Sequence, residues 1–273
     1  MTNQIGPVDA GTFMRTSSLF DRKKQLLPSQ AIRDLAKDIV HRVSTLNNSR
    51  RKDVAETVPE AHIAAFCDIL VNPRPDKALA FILLLQKQGL EHSVIRNCYL
   101  AGAARLLGDR WDADEISLLE VIQGTGHLYS LLRALKLDAS PEAASRQRRR
   151  SALFALVPGE THRFGIQLAT ETFRDAGWNI DLQVGLHHDD LILHAVRTQP
   201  TIIGLSLSTE ERLADLVRLV VALRLERPGA IIGVAPAMNM EDSVLRSVVD
   251  IDLVFRDASS AEQDLDWRLR LNT

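Results

Sequence analysis

Cysteine is nearly missing from this 273-residue sequence: Cys67 and Cys98 are far apart, and each sits inside an apolar helical pattern. That scarcity argues against a disulfide framework or a thiolate metal cluster, and leaves two free thiols in a reducing compartment. An excess of one charge is missing too. The formal net charge is −2, so no basic field exists to wrap nucleic acid. No apolar run reaches the roughly 20 residues that a bilayer span needs. The opening MTNQIGPVDAGTF has no basic stretch followed by an apolar one, so no signal peptide is expected. The expected location is the cytoplasm.

Catalytic signatures are equally scarce. There is no G-x-S-x-G elbow, no G-x-G-x-x-G after the first strand pattern, and no G-x-x-x-x-G-K-S/T loop. No pair of carboxylates is placed to divide acid and base roles. The expectation is a protein that is not itself an enzyme.

What is present is an ordinary globular composition, 45% apolar and 25% charged, enough for two cores. Residues 1–25 are polar and poorly periodic and read as a loose tail. Ile32, Leu35, Ile39 and Val43 recur at helical spacing and predict a helix over 29–46. The basic cluster Arg50, Arg51, Lys52 follows. Residues 58–136 predict a helical bundle: one helix opened by Pro59, one over 78–88 capped by Asp76, one over 93–107 closed by Gly108, and one over 116–135 interrupted by Gly124 and Gly126. Trp111 falls in the turn between the last two. LDASPEAASRQRRR then changes character and reads as a linker.

From Ser151 the pattern alternates between short apolar runs and helical segments: SALFALV, a helix over 162–176, WNIDLQVG, a helix over 189–199, TIIGLSLS, a helix over 210–226, GAIIGVA, a short helix, and IDLVF. This predicts a doubly wound five-stranded parallel sheet with helices on both faces. The domains are therefore an N-terminal tail and helix (1–52), an all-α bundle (53–136), a linker (137–150) and an α/β domain (151–273). In such sheets ligands bind beyond the carboxyl ends of the strands. His162 follows the first strand, with Glu160 placed to accept its ring proton; such a partner fixes the tautomer of a ligating histidine. A plain capping histidine is the competing reading. Ser206, Ser208 and Thr209 end the third strand, where they can meet a polar ligand or cap the next helix. Gly233 ends the fourth, and Met238 and Met240 follow as core fillers or thioether ligands.

E160-T-H162-R-F-G165, S206-L-S208 and G233-V234 together resemble the vitamin B12-binding domain, whose pattern is D-x-H-x-x-G, S-x-L and G-G. The resemblance covers residues 151–258 and implies a flavodoxin-like α/β fold. It implies His162 as the lower axial ligand of cobalt, Glu160 as its supporting carboxylate, and Gly165, Ser206, Ser208 and Gly233 as the lining of a nucleotide-tail channel. L107-G-D-R-W111 with E115-I-S117 is similar to the helical cap domain that precedes such domains, in which the tryptophan covers the upper face of the corrin; Trp111 takes that role by resemblance. W111-x-x-D114-x-I116-S117-x-x-E120-V121-x-x-G124 and L128-x-x-L131-L132-R133 narrow the resemblance to AerR/PpaA-like photosynthesis-gene antirepressors, which act on a PpsR/CrtJ-type repressor. That group is related to the haem-binding sensor domain of AppA.

Three departures stand out. Glu160 replaces the family aspartate, and Ser208 replaces an apolar residue. Val234 replaces the second glycine, where a β-branched side chain is expected to narrow the passage for a nucleotide tail. On these grounds the expectation is a transcriptional regulator that binds cobalamin and acts through a PpsR/CrtJ-like repressor or another regulatory protein. A haem sensor, a ligand-free interaction module and a corrinoid methyl carrier are the alternatives. Direct DNA binding through the arginine clusters is not expected without a helix-turn-helix, and a homodimer is left open.

Overall fold

A helix can bury polar side chains when local hydrogen bonds or ring contacts receive them, and the first helix of this chain does so at Thr16 and Lys23. The computed structural model describes residues 8–45, 58–135, 150–236, 240–258, 260–262 and 265. Helix α1 (Ala10–Leu26) is capped by Asp9, whose carboxylate accepts from the Thr12 amide. It buries Phe13, Thr16, Ser17, Phe20 and Lys23. The Thr16 hydroxyl donates to the Thr12 and Phe13 carbonyls, so its burial leaves no unmet donor. The Lys23 ammonium lies 5.7 Å and 5.9 Å from the ring centroids of Phe20 and Tyr129. For the described residues from Val8 on, this corrects the loose tail expected over residues 1–25; residues 1–7 lie outside the described residues. The buried positions have helical spacing, but Thr, Ser and Lys occupy three of them and hide the apolar period.

The chain divides into two compact units, Met1–Lys136 and Leu137–Thr273. In the first, α2 (Ser29–Thr45), α3 (Glu60–Leu70) and α4 (Pro75–Lys87) precede a helical turn His92–Val94, a π-helical stretch Ile95–Leu100 and α5 (Ala101–Asp112). Helix α6 (Leu118–Ala134) closes the bundle. Its start is a capping box: Ser117 accepts from the Glu120 amide, and the Glu120 carboxylate accepts from the Ser117 amide. The S117-x-x-E120 spacing thus has a structural reason of its own.

The glycines expected to break helices are contact points instead. Gly108 lies inside α5 because a Cβ there would come 3.0 Å from Val40 of α2. Gly124 faces Leu107, and a Cβ on Gly126 would come 2.6 Å from the Phe20 ring. Trp111 consequently sits in the last turn of α5 and not in a connecting turn. Replacing Gly126 by Ala is expected to destabilise the bundle by about 1–3 kcal/mol, the overpacking against Phe20 outweighing the gain in helix propensity. Thermal unfolding of the variant checks this, and a raised midpoint would show that Phe20 can yield.

In the second unit, β1 (Ser151–Leu156), α7 (Phe164–Asp175), β2 (Asn179–Gln183), α8 (His188–Thr198), β3 (Ile202–Ser206), a short 3₁₀ turn (Glu210–Arg212), α9 (Leu213–Glu226), β4 (Ile231–Ala235), α10 (Asp242–Val248) and β5 (Leu253–Val254) follow in order. The strands are all parallel in the order β2-β1-β3-β4-β5, the doubly wound arrangement expected. β1 is an interior strand, paired with β2 and β3, and is buried almost throughout, which is why its sequence reads as one apolar run. Connectivity reverses between β1 and β3, so their carboxyl ends open the crevice. β5 is shorter than the expected IDLVF, and just before it the Asp252 carboxylate accepts from the Ile232 amide and from Arg224. After it, Ala261 and Leu265 are buried against the sheet, and the Trp178 indole donates to Glu262. The linker span 136–149 lies outside the described residues. Among the described residues no helix is long and apolar enough to cross a membrane.

Candidate functional site

Val157–Glu160 is a tight turn closed by the Glu160 amide donating to the Val157 carbonyl at 2.9 Å. Pro158 suits its second position. Gly159, with φ +83°, fills the third, which a side chain would strain. The turn drops Glu160 beneath the loop it has just started. There the Glu160 carboxylate is 2% exposed, while His162 above it is 67% exposed.

Four donors converge on that carboxylate. Oε1 accepts from the Thr161 amide (2.8 Å), the His162 amide (3.1 Å) and His162 Nδ1 (2.7 Å). Oε2 accepts from the Ser208 amide at 2.9 Å, across from the end of β3. Burial alone raises the carboxyl pKa, but the His162 bond and the three amides outweigh it and hold the group down to about 2. An ionised acceptor requires the proton on Nδ1. The exposed Nε2 of a neutral imidazole then carries a lone pair pointing away from the protein's own bonds. Such a nitrogen is suited to ligate a metal.

A cavity of about 500 Å³ opens between α7 and the ends of β1, β3 and β4. This is within the range of small-molecule sites, roughly 300–1,000 Å³. Gly165, Ser206 and Ser208 line it, with Phe154, Phe173 and Phe255 as aromatic walls. Ser208 joins the two features, its backbone holding Glu160 while its residue lines the cavity. An added Cβ on Gly165 would meet nothing, so space remains open on that side.

The other expected residues fall elsewhere. Val234 is fully buried, in register with Leu205, and is not part of the cavity lining. The expected obstruction of a nucleotide tail by Val234 is therefore corrected: successive strand residues face opposite sides of a sheet, and Val234 faces away from Gly233. Gly233 does not line the cavity either; its notch is filled by the Phe255 ring, 2.2 Å from where a Cβ would stand. Trp111 belongs to the first unit, where the Lys37 ammonium lies 5.7 Å from its ring centroid. Met240 is buried, and Met238 lies outside the described residues. Of the arginine clusters only Arg150 is described, and its guanidinium donates to the Ala176 carbonyl.

Sequence reasoning missed Gly204, Phe154, Phe173 and Phe255. A glycine in the middle of β3, in register with Gly233, was the available signal, because mid-strand glycines mark close approach.

Residues 150–266 match the B12 binding domain family. The span has the parallel α/β fold of the B12-binding and flavodoxin-like domains, and an all-α bundle precedes it in the sequence. A 20.5 kDa protein of the bchF-crtJ intergenic region of Rhodobacter capsulatus is 26% identical over 156 residues, covering 56% of this chain and 81% of its own length. Similar solved structures include a cobalamin-binding protein from Desulfitobacterium hafniense DCB-2 (15% identity, 76% of this chain and 98% of that one, TM-score 0.41). The monomethylamine corrinoid protein of Methanosarcina barkeri (16%, 78% and 100%, 0.39) is another. The methanol:cobalamin methyltransferase complex MtaBC of the same organism is a third (12%, 81% and 84%, 0.40).

Proposed function

We propose that the α/β unit binds a corrinoid, cobalamin in the first instance, with His162 as the residue that would hold its cobalt. The observation that carries this is the Glu160–His162 pair: a buried carboxylate held ionised and an exposed imidazole whose free nitrogen it orients. The residues fit the cofactor. Nε2 offers a single neutral nitrogen donor, and the adjoining cavity, apolar with serines at its strand end, suits a nucleotide tail. When bound, the corrinoid would supply a cobalt centre capable of ligand exchange. Glu160 keeps the proton on Nδ1 and raises the basicity of Nε2. Phe154, Phe173 and Phe255 keep water from the cavity. With Val234 facing away from Gly233, the reason for preferring a tailless haem falls.

Two uses of a bound corrinoid follow. A corrinoid methyl carrier needs cofactor binding alone, with a methyltransferase partner doing the catalysis, and the family match speaks to that binding. The second reading is an antirepressor-like regulator acting on a PpsR/CrtJ-type repressor. It is favoured by the Rhodobacter capsulatus relative, whose name places it beside crtJ, and by the AerR/PpaA-like spacing from Trp111 to Arg133. A ligand can drive such a regulator only by preferring one of its states.

Titration of the protein with hydroxocobalamin is expected to change its absorption spectrum, and His162→Ala to abolish that change. An identical response in the variant would defeat the assignment, and a response to hemin alone would replace the cofactor. Capture of a CrtJ-type repressor that depends on added cobalamin favours the regulator. Capture indifferent to cobalamin favours the ligand-free interaction module, and no capture leaves the carrier.

A further inference from the structure

Two strand glycines, Gly204 and Gly233, stand in register on neighbouring strands and open on the same sheet face. Each notch holds one phenyl ring of the chain itself. The Phe154 ring comes 2.8 Å from a Cβ on Gly204, and the Phe255 ring 2.2 Å from one on Gly233. Phe154 is fully packed, edge-on to Phe173 with centroids 4.9 Å apart. Both residues line the cavity, but Phe255 is only partly buried, and its amide is fixed to the Val234 carbonyl at 2.8 Å. Only glycine leaves room beneath it for the ring to lie so close to the strand.

A ring seated against backbone on one side and lining a cavity on the other is a stacking platform. Flat heteroaromatic bases stack on such rings whatever their hydrogen-bonding edge, because every base has a π-face. Resting on the corrinoid reading above, we propose that Phe255 is the residue that recognises the heteroaromatic base of the ligand's nucleotide tail. It takes the floor that Gly233 was expected to provide. Ser206 and Ser208, at the strand end of the same cavity, are left for the sugar and phosphate portion. The ring, more than the volume it fills, sets the preference for a corrinoid that carries a base over one that lacks it.

The test compares hydroxocobalamin with hydroxocobinamide, which has the corrin but no nucleotide, by absorbance titration of the full chain. Wild type is expected to prefer cobalamin. Phe255→Ala is expected to weaken cobalamin binding by about tenfold to a hundredfold and to leave cobinamide binding unchanged, which also shows that the variant is folded. Phe255→Leu keeps bulk without a π-face and is expected to show the same selective loss. The proposal is overturned if wild type shows no preference, if both ligands weaken equally in Phe255→Ala, or if leucine restores the wild-type ratio. A wild type that binds neither corrinoid defeats the cofactor reading itself, and this proposal with it.

Discussion

Replacing Arg224 by Met is expected to lower the stability of the α/β unit by about 3–5 kcal/mol. Arg224 lies on α9 with a side chain only 2% exposed. Its Nε donates to the Asp250 carbonyl at 2.9 Å, Nη1 to the Ala230 carbonyl at 2.8 Å, and Nη2 to the Asp252 carboxylate at 2.7 Å. The Asp250 carboxylate, equally buried, stands 3.9 Å from Nε. Methionine matches the aliphatic stem but supplies no donor. It leaves a buried carboxylate without its cation and takes a donor from each of two carbonyls. Removing one partner of a buried pair is far more damaging than replacing both. Asp250→Asn added to Arg224→Met should accordingly recover part of the loss. Urea unfolding followed by amide exchange of the strands measures both. A single variant within about 1 kcal/mol of wild type would show that packing substitutes for the network. The network joins α9 to the starts of β4 and β5, the end of the sheet opposite the crevice. Corrinoid binding by whatever fraction stays folded should be unaltered.

The α/β unit was legible because its strands are buried on both faces and therefore read as apolar runs, with helical periods between them. The first helix was not, because Thr16, Ser17 and Lys23 lie on its buried face, Thr16 held by backbone carbonyls and Lys23 beside two rings, which no hydropathy pattern reveals. Gly108, Gly124 and Gly126 misled for a related reason. A glycine signals either a break or a close approach, and only the partner, Val40, Leu107 or Phe20, decides which. At the site, Glu160 and His162 were legible since both belong to one short loop whose spacing is visible. The cavity was not, because Gly204, Phe173 and Phe255 meet there from distant parts of the chain. Val234 was misplaced by treating two adjacent strand residues as facing one crevice, which the two-residue period of a strand forbids.

Glu160→Gln should separate the charge of the buried carboxylate from its shape. With four donors in place the carboxyl is held down to about 2, from an ordinary value of 4.5. A difference of that size corresponds to about 3 kcal/mol of native-state stability. The native state holds this carboxylate ionised where the unfolded chain would already protonate it. The contribution is therefore complete above about pH 5 and is lost as pH falls through 4.5 toward 2. Glutamine keeps the outline, but its one carbonyl oxygen cannot serve both sides. Its amide NH₂ must face either the Ser208 amide or the Thr161 and His162 donors, donor against donor. At pH 7 the variant should be less stable than wild type by about 3 kcal/mol, and the gap should close as the pH approaches 2. Amide exchange or urea unfolding across pH 2–7 gives the curve. A gap that stays constant with pH would mean that geometry, and not charge, is what the four donors recognise. The same substitution should weaken corrinoid binding by about tenfold to a hundredfold, the usual effect of losing the partner of a ligating imidazole. Nδ1–H of His162 loses its ionised acceptor, and with it the basicity of Nε2. Stability and affinity fall together because one buried carboxylate ties the β1 and β3 loops and orients the exposed ligand.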